Sequence, residues 1–245
     1  MHISGSGHIA AGEYNDKISV SGSGKLDGNV RCIALSCSGA VKAVGNVYCS
    51  EDIRVSGSCH IDKSASATNL SASGSLKVGE NLTAEKKIKI SGSLHCGGEL
   101  KCTTLSCSGG IDIGGGAEAE EIKISGRVKC DGLLNAEKID IFLEKRCFNS
   151  KIGAIGGSEI KVHSAGKPSK SGRMPLLSKF LGGSNNRLVV DELIEGDIIA
   201  LECVCAPRVV GRVVAIGAGC DIGLVQYSEE IEIHPAAKVE KYEKV

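Results

Sequence analysis

Large aromatic side chains are scarce in this sequence, which has four Tyr, three Phe and no Trp among 245 residues. Proteins that bind single-stranded nucleic acids stack the bases on such rings, so this mode of binding is not expected. An excess of one charge is also absent, because 29 Lys+Arg balance 29 Asp+Glu. Duplex binding needs a basic surface that neutralises phosphates. The sequence therefore predicts no nucleic-acid partner.

Long apolar runs and a targeting segment are missing as well. No run of apolar residues approaches the roughly 18 needed for a membrane-spanning helix. The first ten residues lack the basic and apolar regions of a secretory signal. The twelve Cys are therefore predicted to be reduced thiols of a cytoplasmic protein rather than a disulfide framework.

A short internal repeat runs through the first half of the chain. Ser-Gly steps recur every 17 or 18 residues, with their glycines at Gly5, Gly22, Gly39, Gly57, Gly74, Gly92, Gly109 and Gly126. After each glycine, apolar residues fall into three pairs, and one residue separates the two members of a pair. A period of two is typical of strands with one buried face. Each repeat is therefore predicted to form three short strands.

Three strands per repeat predict an all-β fold, a single-stranded right-handed parallel β-helix with a triangular cross-section and 17–18 residues per coil. The right hand is expected because parallel crossovers have it in the great majority of cases. The spacing of the apolar pairs also resembles that of left-handed hexapeptide acyltransferases. That alternative is less favoured, because most repeats have 17 residues and therefore break a strict six-residue period.

The regular β-helix is predicted for residues 1–145, and a less regular continuation for 146–245. Two of the four prolines lie in an expected excursion at 167–186. In the first repeat, the alignment places Glu13 and Asn15 in columns that are apolar elsewhere. At the other end, the charged segment from Lys238 to Lys244 is interpreted as a tail that ends the solenoid.

No motif in the sequence indicates catalysis or a bound cofactor. Eight Cys fall in inward columns, which favours a structural role over a metal site: Cys32, Cys37, Cys49, Cys59, Cys96, Cys102, Cys107 and Cys130. No phosphate loop, zinc-protease motif or nucleophile elbow occurs. The sequence therefore predicts a protein that is not an enzyme and has no cofactor, metal site or catalytic residue.

A column of cationic residues is predicted to point outward from one face. It contains His8, Lys25, Lys42, His60, Lys77, His95 and Lys129, and Asp112 interrupts it. The favoured interpretation is a solvated face whose like charges discourage sheet stacking. The alternative is a monomeric or dimeric binding module that uses this basic stripe for an anionic partner.

A second candidate contact lies in the expected excursion. Its apolar cluster, a candidate membrane or partner contact, comprises Leu176, Leu177, Lys179, Phe180 and Leu181. One such patch anchors a protein only reversibly. The alternative is that this segment folds back onto the solenoid.

The Ser-Gly repeats, as in Lys89 to Ser93 and Lys123 to Gly126, resemble those of the bactofilins, polymer-forming cytoskeletal proteins of bacteria. The resemblance covers residues 3–145. It implies a right-handed β-helix, self-assembly through the helix ends without nucleotide, and a scaffolding role. It also implies a cytoplasmic location, often peripheral at the inner membrane, with the membrane surface or envelope-associated proteins as partners besides the protein itself.

Self-association is also expected without the resemblance. A solenoid presents an unpaired strand edge at each end, and soluble solenoids cap these edges. No amphipathic helix precedes the first repeat, so we expect contacts between copies near Ile3, Ile9 and Ile18.

Overall fold

Strands form most of the described backbone. The computed structural model describes residues 1–144, 150–164 and 187–245, and these ranges contain no helix. Their strands are β1 (His2–Ile3), β2 (Ser6–Val20), β3 (Ser23–Cys37), β4 (Ala40–Ala43), β5 (Val47–Cys49), β6 (Asp52–Val55), β7 (Ser58–Ile61), β8 (Ala65–Ala72), β9 (Ser75–Val78), β10 (Leu82–Ile90), β11 (Ser93–Cys96), β12 (Leu100–Lys101), β13 (Thr104–Cys107), β14 (Gly110–Ile113), β15 (Ala117–Ile124), β16 (Arg127–Leu143), β17 (Ser150–Ser164), β18 (Leu188–Val190), β19 (Ile194–Leu201), β20 (Val204–Ile216), β21 (Asp221–Ile233) and β22 (Lys238–Lys244).

These strands pair in parallel with their counterparts one repeat away, which confirms the predicted β-helix. The chain makes about 13 turns, which corresponds to a stack roughly 60 Å long at the usual strand spacing. We number the coils from the N-terminus, so that coil 1 begins at Gly5 and coil 13 contains β22. Each coil has three faces, which in coil 3 are β4 (face 1), β5 (face 2) and β6 (face 3).

The core consists of stacked columns of like residues. Leu82 pairs with Leu100 in the next coil, and both side chains are fully buried. Between faces 2 and 3 the inward column is narrow and holds small residues, such as Cys32, Cys49 and Ala67. Because a coil cannot bury its own apolar face, each of these contacts is made with the coil before or after it.

The register of coil 1 differs from the predicted alignment by one residue. Gly12 pairs with Val30 and Tyr14 with Cys32, so the placement of Glu13 and Asn15 in the inward columns is wrong. Irregularities in the ladder flank this segment and shift the chain by one position. As a result, the Glu13 side chain points outward, and the Tyr14 ring packs against the core.

The C-terminal segment is also part of the β-helix. The interpretation of Lys238 to Lys244 as a tail is wrong, because these residues form β22 and pair with β21 from Asp221 to Tyr227. Backbone pairing extends the ladder despite the charges, and Lys238 lies 3.1 Å from the carboxylate of Asp221. The strand alternation turns Val239 toward the interior beneath it.

The predicted excursion at 167–186 lies outside the described residues. So do Leu176, Leu177, Lys179, Phe180 and Leu181, whose role as a membrane or partner contact stays a prediction. On either side of this region the β-helix keeps its register, because Ser150 of β17 pairs with Leu188 of β18.

Candidate self-association ends and outward faces

The N-terminal end of the β-helix is a largely unpaired strand edge. The short strand β1 covers only the last part of coil 1, where His2 pairs with Ser19 and Ile3 with Val20. The part of β2 from Ser6 to Tyr14 pairs with β3 on one side. No described strand pairs with its other side, so about half of the first coil offers backbone groups to a further strand.

The direction of the amides identifies which groups are exposed. In coil 2, the Ser23 amide donates to the Gly5 carbonyl of the preceding coil at 2.9 Å. The corresponding residue of coil 1 is Ser6, and no described strand lies on the side to which its amide points. Because successive amides alternate in direction along a strand, those of His8 and Ala10 also point out of this end.

Side chains cover the N-terminal opening. Ile9 and Ile18 are 2% and 0% exposed, because both occupy inward positions of β2. Their side chains are therefore not available for the predicted contact between copies, whereas Ile3 is partly exposed. The half-buried Tyr14 lies across the interior, and its hydroxyl donates to the Ala10 carbonyl at 2.8 Å.

The C-terminal end exposes apolar side chains as well as backbone. Strand β22 pairs with β21 on one side, and no described strand follows it. Tyr242 occupies the same inward column as the buried Val225 but is 59% exposed, because no described coil lies beyond it. Val239 and Ile233 are partly buried at the same opening. Sequence reasoning missed this surface because it treated the segment as a tail.

The predicted basic stripe exists as a column on face 1. The parallel register places His8, Lys25, Lys42, His60, Lys77, His95, Asp112 and Lys129 next to one another in successive coils. Lys151 continues the column in coil 9.

Carboxylates neutralise much of this stripe. Lys25 lies 2.6 Å from Asp27 and His60 lies 3.1 Å from Asp62. Hydrogen bonds from Lys25 and His8 hold the pKa of the Asp27 carboxyl below its usual value. The sequence indicates these ion pairs, because each Asp follows its cationic partner by two positions and residues two apart on a strand lie on the same side. This pairing favours a solvated face over a continuous strip for anions.

Coils 10 and 11 carry an outward apolar patch on face 3 that sequence reasoning missed. Ile198 pairs with Val213 and Ala200 with Ala215, and Ile198 is 43% exposed. The sequence does not reveal this patch, because both sides of the strand are apolar and the alternation that distinguishes inward from outward residues is lost.

A shallow groove of about 660 Å³ lies on face 2 of the C-terminal half. Gly156, in the outward column beside Asn135, contributes no side chain to this surface, and Gly196 and Gly211 also line it. The charged residues at its border include Arg212, which is paired with Glu229 at 2.6 Å. The groove therefore offers a shallow outward surface rather than an enclosed cavity.

The described ranges contain neither a cluster of metal-ligating side chains nor a membrane-spanning helix. Within them, no group of three or more His, Cys, Asp or Glu side chains is arranged to hold a metal ion. In the same ranges, no helix has the length and apolar character needed to cross a bilayer.

Comparisons with known proteins give one distant similarity. The chain is 31% identical over 114 residues to the uncharacterized protein YhbF of Bacillus subtilis (strain 168). The match covers 46% of this chain and 42% of that relative, so it spans less than half of either protein. No family model matches the sequence, and no solved structure matches it.

Proposed function

We propose that this protein is a non-enzymatic scaffold that self-associates end to end through its β-helix into a bactofilin-like cytoskeletal polymer. The principal partner is then a second copy of the same chain. The resemblance of the Ser-Gly repeats to bactofilins adds a cytoplasmic location, with the inner-membrane surface or envelope-associated proteins as further partners.

The observation that carries the proposal is that a strand edge lies unpaired at each end of the described β-helix. The outward amides of Ser6 and His8 have no described coil before them, and the Tyr242 side chain has no described coil after it. Unpaired parallel edges are templates for pairing with another chain. End-to-end joining would pair these amides and bury the exposed apolar side chains of the C-terminal opening, which stabilises the joint by the same interactions that stack the coils.

A proline at the N-terminal edge tests this proposal. His8→Pro removes an amide that points out of the end, at an edge position where proline is tolerated. The side chain of His8 is exposed, so the core is unchanged. We expect wild type to sediment as large assemblies, and His8→Pro to shift the distribution toward monomers or single-joint dimers. His8→Ala is the matched control, because it removes the same imidazole and keeps the amide.

The experiment is analytical ultracentrifugation over a range of protein concentrations, together with negative-stain microscopy. A wild-type chain that stays monomeric at every concentration would contradict the proposal. Equal assembly of His8→Pro and His8→Ala would show that the N-terminal edge is not part of the joint.

A further inference from the structure

Two cysteines lie side by side near the N-terminal end. Cys32 of coil 2 pairs in register with Cys49 of coil 3, and their sulfur atoms are 3.5 Å apart. Register partners on adjacent parallel strands have Cα atoms roughly 4.8 Å apart. This separation lies within the range that a disulfide spans. The backbone therefore already has the spacing of the oxidised pair.

Register distinguishes this pair from the other described thiols. The thiols of Cys37 and Cys59 also interact, but these two residues pair in register with Val55 and Val41 instead. In the described part of the chain, no other two cysteines are register partners on neighbouring strands. Cys102 occupies the same inward column but stacks beside Ala84 and Ala119. Cys32 and Cys49 are 6% and 7% exposed, so the corner between faces 2 and 3 leaves them at the surface of the core.

We propose that Cys32 and Cys49 are a reversible thiol–disulfide couple, which a small hydroperoxide oxidises to a bond joining coil 2 to coil 3. The inference is independent of end-to-end assembly, because both residues belong to one chain and face each other within it.

The chemistry needs no group other than the hydroperoxide. The Cys32 thiolate attacks one peroxide oxygen, so that an S–O bond forms, the O–O bond breaks, and the other oxygen leaves with a proton as water or an alcohol. The Cys49 sulfur then attacks the resulting sulfenic sulfur, so that the S–S bond forms and the S–O bond breaks. The second oxygen leaves as water with the proton of Cys49. The two thiols supply the two electrons that reduce the peroxide.

The surroundings assign the first step to Cys32. A hydrogen bond from the Cys49 thiol lowers the pKa of Cys32, and the same interaction raises the pKa of Cys49. Cys32 is therefore the attacking thiolate and Cys49 the resolving thiol. The bond would close a loop across coils 2 and 3 and restrict the unfolding of the coils next to the N-terminal edge.

Peptide mapping after hydrogen peroxide treatment tests the inference. Wild type, Cys49→Ala and Cys102→Ala are treated in the folded state, blocked with an alkylating agent, and digested without reductant. Alanine fits this column, as Ala67 shows in the next coil. We expect a Cys32–Cys49 linkage in wild type and Cys102→Ala that a reductant removes. Cys49→Ala should instead give overoxidised Cys32.

Thermal unfolding provides a second readout. The oxidised protein should unfold at a temperature higher by roughly 5 °C than the reduced protein, and the difference should be absent in Cys49→Ala. Mapping that shows only sulfinic or sulfonic acids, a Cys37–Cys59 linkage, or bonds between chains would overturn the inference. Assembly behaviour of the same samples is irrelevant to this outcome, so the two proposals fail separately.

Discussion

Gly57 stacks on Gly39 so closely that a Cβ atom built on Gly57 would lie 2.0 Å from the Gly39 carbonyl oxygen. The same close approach recurs at the Ser-Gly corner of each coil from coil 2 to coil 8. Gly5 begins coil 1 and has nothing within 4 Å of its Cβ position, because no described coil stacks on it from that side. The corner glycines are therefore required by backbone contact between coils.

The first prediction compares alanine substitutions at Gly57 and Gly5. Gly57→Ala should lower the free energy of unfolding by about 1–3 kcal/mol or more, because its Cβ meets a backbone oxygen that cannot move without breaking the ladder. Gly5→Ala, at the equivalent place in the repeat, should change it by less than about 0.5 kcal/mol. Denaturant titration followed by circular dichroism measures both. Equal stability of the two variants would contradict the stacked corners.

The second prediction concerns the core. Leu82→Ala should cost about 2–5 kcal/mol, because it leaves a cavity between coils where Leu82 stacks on Leu100. Thr83→Ala changes the next residue of the same strand, which is exposed, and serves as the control. A cost below about 0.5 kcal/mol for Leu82→Ala would place that column on the surface.

Much of this fold could be predicted from the sequence, for a physical reason. Each coil stacks on a similar coil, so equivalent positions in successive coils have the same surroundings and favour the same residue types. The corner glycines and the leucines stacked with Leu82 therefore recur at fixed spacings in the sequence. Coil 1 has a neighbour on one side only, so its environments differ and the alignment failed at Glu13. β22 was misread because its two inward apolar residues, Val239 and Tyr242, lie three positions apart among charged residues, which hides the strand period.

The interaction surfaces were harder to predict than the fold. Ile9 was assigned to the end from its place in the first repeat, but what is exposed there is mainly backbone. Every residue except proline has a backbone amide, so the residue types do not show which amides lie unpaired at an edge. The neutralisation of the basic stripe could be predicted from the sequence, because Asp27 follows Lys25 by two positions and therefore lies on the same side of the strand.

The third prediction uses two thiols on opposite sides of face 1. Burial raises the pKa of Cys130 to about 11 from its ordinary value of 9.0, and this side chain is 1% exposed. Cys205 lies in the outward column and is partly exposed. In the folded protein, iodoacetamide should therefore label Cys205 readily at pH 8.5 and Cys130 slowly. In denaturant the two rates should become similar.

The raised pKa of Cys130 also predicts how the free energy of unfolding depends on pH. Below pH 9.0 the Cys130 thiol is protonated in both states and does not make stability vary with pH. Between pH 9.0 and about 11 it ionises in the unfolded chain but not in the folded one, so the free energy of unfolding falls as pH rises. Cys130→Ala should flatten this fall. Fast native labelling of Cys130 would contradict its inward position.

The last prediction concerns the C-terminal opening and follows from the proposed assembly. Tyr242→Lys should leave the single chain folded, because the Tyr242 side chain is already 59% exposed and the lysine stays in water. If another coil stacks on this end, the ammonium group becomes buried without a partner, at a cost of several kcal/mol. Large assemblies should therefore dissociate. Ser66→Lys adds the same charge on face 2 of coil 4, and its assembly should match that of wild type.

The salt dependence of assembly distinguishes an end-to-end joint from contacts made by the basic stripe on face 1. Backbone pairing and apolar contact dominate at the ends, so raising the ionic strength should leave end-to-end assembly unchanged or strengthen it. Contacts made by Lys42 or Lys77 should instead weaken, because salt screens their charges. Light scattering of wild type, Tyr242→Lys and Ser66→Lys at low and high salt measures both effects. Dissociation of wild type at high salt, with Tyr242→Lys assembling as well as Ser66→Lys, would move the joint from the C-terminal opening to the charged face.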